Sequence, residues 1–186
     1  ESRARLDLRK FITAFETAAS PILPQAENQG QPQPRPSPTD AERRLLERID
    51  EALAVLDSLA RDDQARVREV IAVIASGQAL DLERFAGASA DCVMALKTEP
   101  ELDDYTYRVA GCVGEFWTKV CRAHLPALSQ LDESQLLMDG VRFGKGLQLV
   151  NILRDLPADL RRGRCYLPLD KLSQLGLSSG DLLDPA

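Results

Sequence analysis

The chain has 186 residues, 44% of them hydrophobic, enough to bury one sizeable core. Its net charge of −6 and pI near 4.9 exclude a general nucleic-acid binder. No apolar run approaches the ~20 residues that span a bilayer, and no charged–apolar–small leader opens the chain at Glu1.

Leu8, Phe11, Ile12 and Phe15 recur at helical spacing and predict a first helix ending near Ser20. Six of the eleven prolines then fall between Pro21 and Pro38, among Gln, Asn and Gly, which predicts a solvated loop insertion over 21–38. Thr39 and Glu42 have capping-box spacing and open a helix with apolar positions from Leu45 to Ala60. A second stripe, Val67, Val70, Ile71 and Ile74, continues to Leu80 and Leu82. Thr98-Glu99-Pro100-Glu101 signals the next helix start, with proline in the first turn. That helix runs through Tyr105, Val109, Val113, Phe116 and Val120 to His124, and Pro126 stops it. A fifth helix is expected from Asp132 to about Leu156, where Pro157 blocks continuation, and a short sixth from Pro168 to Leu175 ends at Gly176. Long helices, short connections and no alternating strand predict an all-α bundle, read as one domain over 1–186.

Cys92, Cys112, Cys121 and Cys165 form no C-x-x-C pair, and His124 is the one histidine. A structural zinc is not expected, and the thiols read as core residues of a reducing compartment.

Chemistry concentrates in Gly144-Lys-Gly-Leu-Gln-Leu-Val-Asn-Ile-Leu-Arg-Asp-Leu-Pro-Ala-Asp159. Gln148, Asn151 and Asp155 lie at i, i+3 and i+7 and share one helix face with Gly144, while Leu147, Val150 and Leu153 turn away and are expected in the core. A narrow polar stripe on an otherwise apolar helix predicts a wall facing an internal cavity. Asp155 and Asp159, one turn apart, suit a hard cation such as Mg²⁺ that bridges to phosphate oxygens. Arg161, Arg162 and Arg164 around Gly163 follow at once, and guanidinium forks match a diphosphate.

The whole string, continued through Arg162-Gly163-Arg164-Cys165-Tyr166-Leu167-Pro168, resembles the second aspartate motif and flap of the squalene/phytoene synthase family. Tyr105-Thr-Tyr107-Arg-Val-Ala-Gly111-Cys-Val-Gly114 is similar to that family's Tyr-x-Tyr-x-Val-Ala-Gly-x-Val-Gly segment, and Gly77-Gln-Ala-Leu-Asp81-Leu82 to its Gly-Met-x-x-Asp-Leu stretch. The three occur in the family's order.

The resemblance implies a single isoprenoid-synthase-type helical domain around a central cavity. It implies head-to-head condensation of two prenyl diphosphates through a cyclopropylcarbinyl diphosphate. Carried over by position, Asp155 and Asp159 would hold Mg²⁺, with Asn151 beside the metal–diphosphate cluster and Gln148 on the same wall. Arg154, Arg162 and Arg164 would contact phosphate. Tyr107 would stand near the reacting carbons, with Tyr105 and Tyr166 as further substrate contacts. The wording of the motifs is nearest to bacterial squalene synthases, so two farnesyl diphosphates, NADPH for the reductive step and squalene as product are expected. Alternatives are a phytoene synthase using geranylgeranyl diphosphate, and a non-catalytic prenyl-lipid-binding helical protein. A cytoplasmic location, peripheral to the inner face of the membrane, fits an apolar product.

Two positions depart from the family's pattern. Ala158 stands where a further acidic residue is usual, and no first Asp-x-x-x-Asp motif precedes the tyrosine segment. The chain therefore reads as a partial domain cut at both ends and inactive by itself.

Overall fold

The computed structural model describes residues 40–183. The expected helix around Leu8–Phe15, the proline-rich stretch 21–38 and the cap at Thr39 lie outside them. The chain divides into two compact units between Ala65 and Arg66.

In the first unit, the apolar stripe expected to form one helix is split into α1 (Asp40–Glu47) and α2 (Ile49–Ser58). The break sits at Arg48, whose ψ of 12° leaves the helical range while its guanidinium pairs with Glu51 at 2.7–3.0 Å. Helix α3 (Arg61–Arg84) begins after Leu59, and Gln64 Nε2 donates to the Asp57 and Leu59 carbonyls to satisfy the preceding helix end.

The second unit holds the rest of α3, then β1 (Met94–Ala95), α4 (Glu99–Thr106), a π-helical turn (Tyr107–Gly111), α5 (Cys112–His124), α6 (Pro126–Ser129), α7 (Glu133–Arg161), β2 (Arg164–Cys165), α8 (Leu169–Gln174) and a 3-10 turn (Asp181–Leu183). The caps follow the sequence. Thr98 Oγ1 accepts from Glu101 N, Asp132 Oδ1 accepts from Gln135 N at 2.7 Å, and Gly176 (φ +71°) ends α8 in the left-handed region.

The second unit also differs from expectation. Pro157 does not end α7, which continues to Arg161. The missing proline N–H costs one bond, but Leu160 on the added turn is buried with Cys165 and Leu172, with Leu156 packed against them, and that packing carries the helix past the break. The helix through the tyrosine segment carries a π turn, invisible to a 3.6-residue periodicity. A short parallel pair, β1 with β2, joins Met94 to Arg164 and Ala95 to Cys165. At two residues per strand it is too brief to show alternation.

The α5–α7 crossing is built from glycine. A Cβ on Gly114 would lie 2.6 Å from the Gly140 carbonyl carbon, and one on Gly144 would lie 2.8 Å from that of Ala110. No side chain fits between the backbones, so α7 sits against the π turn and α5 at the shortest approach a helix allows. This choice of face overturns the expected burial of Leu147, Val150 and Leu153, which are 51%, 62% and 63% exposed. The helix is apolar on more than one side, and the side that packs is the one with least bulk.

Candidate active site

Four segments of the second unit meet: the C-terminal part of α3, α4, the C-terminal half of α7, and β2 with the residue after it. Their common core is Phe85 just after α3, Leu96, Ile152 of α7 and Tyr166, with Tyr105 of α4 packed against it. Tyr166 stacks on Tyr105 with ring centroids 4.5 Å apart and meets Phe85 edge to face at 5.1 Å.

The backbone around β2 is held from several directions. After α7, Gly163 adopts φ +80°, and a Cβ there would run into the Ser89 backbone. Met94 N donates to the Gly163 carbonyl at 2.9 Å and Leu96 N to that of Cys165 at 3.1 Å. Arg164 and Tyr166 are thereby turned towards Asp81 of α3. Tyr166 Oη donates to both Asp81 carboxylate oxygens, at 3.0 and 3.2 Å, and Arg164 Nη1 donates to one of them at 3.1 Å. Burial, then the neighbouring Tyr105 and Asp81, push the Tyr166 phenol well above its ordinary pKa, and burial raises that of Tyr105. Both rings are therefore neutral phenols at physiological pH.

On α7, Asn151 Nδ2 donates to Gln148 Oε1 at 3.4 Å and Gln148 Nε2 to Tyr105 Oη at 3.5 Å, so the polar stripe leads to the stacked tyrosines. One turn further, the two aspartates sit in unlike settings. Asp155 is 47% exposed and gripped by Arg154 Nε and Nη2 at 2.8 and 2.7 Å, hydrogen bonds that hold its carboxyl below the usual range. Asp159 is 20% exposed, and burial raises its pKa. Arg162, 3.7 Å away, opposes that rise and the Asp155 charge adds to it. Two aspartates on one helix face with a raised proton affinity in the inner one form a donor set that a hard cation relieves, and Mg²⁺ takes one or two carboxylates plus phosphate oxygens. The residues fit such an ion. Among the described residues no group of three or more His, Cys, Asp or Glu side chains converges, so phosphate or water oxygens would complete its shell.

The structure thus brings together Tyr105, Tyr166, Gln148, Asn151, Asp155, Asp159, Arg154, Arg162 and Arg164. It does not bring Tyr107 there. That hydroxyl donates to Glu115 at 2.8 Å, Lys145 Nζ lies 5.8 Å from its ring, and it lines a small cleft with Val70, Cys112 and Lys119. Two residues along a helix is a rotation of about 200°, so the two tyrosines serve opposite sides. Asp81 is the residue the spacing argument missed. It stood in the Gly77–Leu82 stretch as part of a resemblance, and only its partners, 83 and 85 residues away, reveal a role. No helix of the described residues is long and apolar enough to cross a membrane.

The chain is 38% identical over 139 residues to a phytoene synthase of Arthrospira platensis, a match covering 71% of this chain and 41% of that protein. It is 40% identical over 87 residues to a phytoene synthase of Thermus thermophilus, covering 47% and 27% respectively. The chain thus spans less than half the length of these curated relatives. Its fold is similar to the solved structure of TcSQS with the ligand BPH1237, at a TM-score of 0.55 and 21% identity, over 92% of this chain and 45% of that one. The family described as Squalene/phytoene synthase matches residues 1–186, and to that family this chain belongs.

Proposed function

We propose that the protein condenses two prenyl diphosphates head to head, with the face of α7 and the Arg162–Tyr166 segment serving one diphosphate and its allylic carbon. The observation that carries this reading is the convergence of Asp155 and Asp159 with Arg162, Arg164 and the stacked Tyr105/Tyr166 pair. Breaking an allylic C–O bond sends the bonding pair to the departing diphosphate, whose charge must be met where it develops. Asp155 and Asp159 would hold Mg²⁺, which supplies Lewis-acid stabilisation of that charge. Arg162 and Arg164 add guanidinium donors, and Asn151 and Gln148 orient the carboxylate side of the site. The neutral tyrosine rings offer π faces to the allylic cation and no anionic nucleophile to capture it.

Geranylgeranyl diphosphate is our first choice of substrate, because the curated relatives above are named phytoene synthases. This reverses the order suggested by the motif wording. Farnesyl diphosphate remains the second reading, supported by the Gly144–Asn151 string itself, and it alone would call on NADPH. An apolar product of either length supports peripheral contact with a membrane surface.

The test is incubation of the full-length protein with each prenyl diphosphate and Mg²⁺, with and without NADPH, followed by product extraction. A C40 hydrocarbon formed without NADPH supports the first reading. A C30 hydrocarbon formed only with NADPH supports the second. Binding of both diphosphates without turnover of either would sink the enzymatic reading and favour a prenyl-lipid binder, which Ala158 in place of an acidic residue would suit.

A further inference from the structure

We propose that Asp81 is a positioning residue, which sets the Arg164 guanidinium for a diphosphate before any ligand arrives. Its carboxylate is only 16% exposed and meets the hydroxyl of Tyr166, which packs in one cluster with Phe85. A carboxylate so placed is costly unless it is paired and hydrogen-bonded, and among the described residues its hydrogen-bond partners, Arg164 and Tyr166, both come from the segment after α7. Tyr166 donates to both oxygens, and Arg164 Nη1 donates to one. Phe85, four residues beyond Asp81 in the turn that follows α3, lies under the same guanidinium with 5.7 Å from Cζ to the ring centroid. The β1–β2 pair fixes the backbone at Arg164 itself.

The guanidinium is therefore held from below by a ring, from one edge by a carboxylate and from behind by a strand. Among the described residues Asp81 is its one hydrogen-bond acceptor, which leaves Nε and Nη2 for a ligand. Arg164 also acts on Asp159, so the ordered guanidinium stands within electrostatic reach of the carboxylate pair. Fixing a long side chain in advance spares the ligand that ordering cost, about 0.5–1.5 kcal/mol per side chain, or about 2–10-fold in affinity. The same reasoning gives Tyr166 its place: it occupies both Asp81 oxygens and so limits the carboxylate to one orientation.

This inference rests on reading Arg164 as a diphosphate contact, but not on which prenyl chain is used. Its test is a double-mutant cycle read by calorimetric binding of inorganic pyrophosphate with Mg²⁺ to the protein. Asp81→Glu keeps the charge and moves the carboxylate, whereas Asp81→Asn keeps the shape and removes the charge. Both should weaken pyrophosphate about 2–10-fold. Neither should weaken it further once Arg164→Met is present, because there is then nothing to position. Losses that add, or Asp81 variants that bind pyrophosphate as the wild type does, overturn the proposal. If Asp81→Asn does not fold, Asp81→Glu carries the comparison alone. A wild type that shows this coupling yet turns over no prenyl diphosphate removes the prenyl reading and leaves the positioning role. Turnover accompanied by additive losses removes the positioning role only.

Discussion

Replacing Gly114 with alanine perturbs a close backbone contact that seats α7, the helix carrying Asn151, Asp155 and Asp159. The added Cβ would sit 2.6 Å from the Gly140 carbonyl carbon, and ordinary contact begins at 3.4 Å, so α5 and α7 must separate by about 0.8 Å or more. Neither helix can yield cheaply, because both contact atoms are backbone. Overpacking of this kind costs about 1–3 kcal/mol, and the helix propensity gained by Gly→Ala returns roughly 0.8–1 kcal/mol. The net loss is about 0–2 kcal/mol, or up to about 8 °C in the thermal midpoint of a chain this size. Gly146 supplies the internal control, since nothing lies within 4 Å of a Cβ added there and the same substitution should stabilise by roughly 0.5–1 kcal/mol. Thermal unfolding of Gly114→Ala and Gly146→Ala side by side reads the difference. Because Asn151, Asp155 and Asp159 ride on α7, Gly114→Ala should also lower turnover while Gly146→Ala leaves it intact. Equal stability of the two variants would refute the close crossing.

Asp155→Asn should reduce turnover by roughly 10²–10³-fold, measured as kcat on either prenyl diphosphate, with an unchanged unfolding midpoint because its pair with Arg154 is exposed. Asp159 has the opposite linkage. Its folded pKa is raised by burial, so the folded state keeps a proton to higher pH than an ordinary aspartate, and stability falls as pH rises through the folded pKa. Asp159→Asn should therefore be more stable than wild type near neutral pH and lose that advantage as pH falls through the raised pKa towards about 4, by thermal unfolding across that range, while turnover collapses. Tyr105→Phe should lower kcat, whereas Tyr107→Phe, which breaks only the bond to Glu115, should cost about 1 kcal/mol of stability and retain most turnover. Equal catalytic losses in the two would overturn the assignment of Tyr105 to the site.

Much of the architecture was legible in the residues. Thr98, Asp132 and Gly176 announced helix ends that local hydrogen bonding then produced, because capping depends on residues three or four apart. The shared face of Gln148, Asn151, Asp155 and Asp159 followed from the helical repeat alone, and so did the family, whose motifs are contiguous strings. Other features depended on partners distant in sequence. Pro157 signals a stop locally, and only the burial of Leu160 against Cys165 and Leu172 overrides it. The burial of glycine rather than leucine on α7 was decided by the backbone of α5, since a helix apolar on several sides does not say which side will be covered. Tyr105 and Tyr107 have the same chemistry two residues apart, and the packing of α4 against α7 chose between them. Asp81 and Arg164 are separated by 83 residues, so no periodicity links them. By itself the sequence determined the helices, their caps and the polar stripe on α7, which are local. The tertiary structure decided which faces are covered and which side chains meet, because those depend on contacts the chain makes only once it is folded.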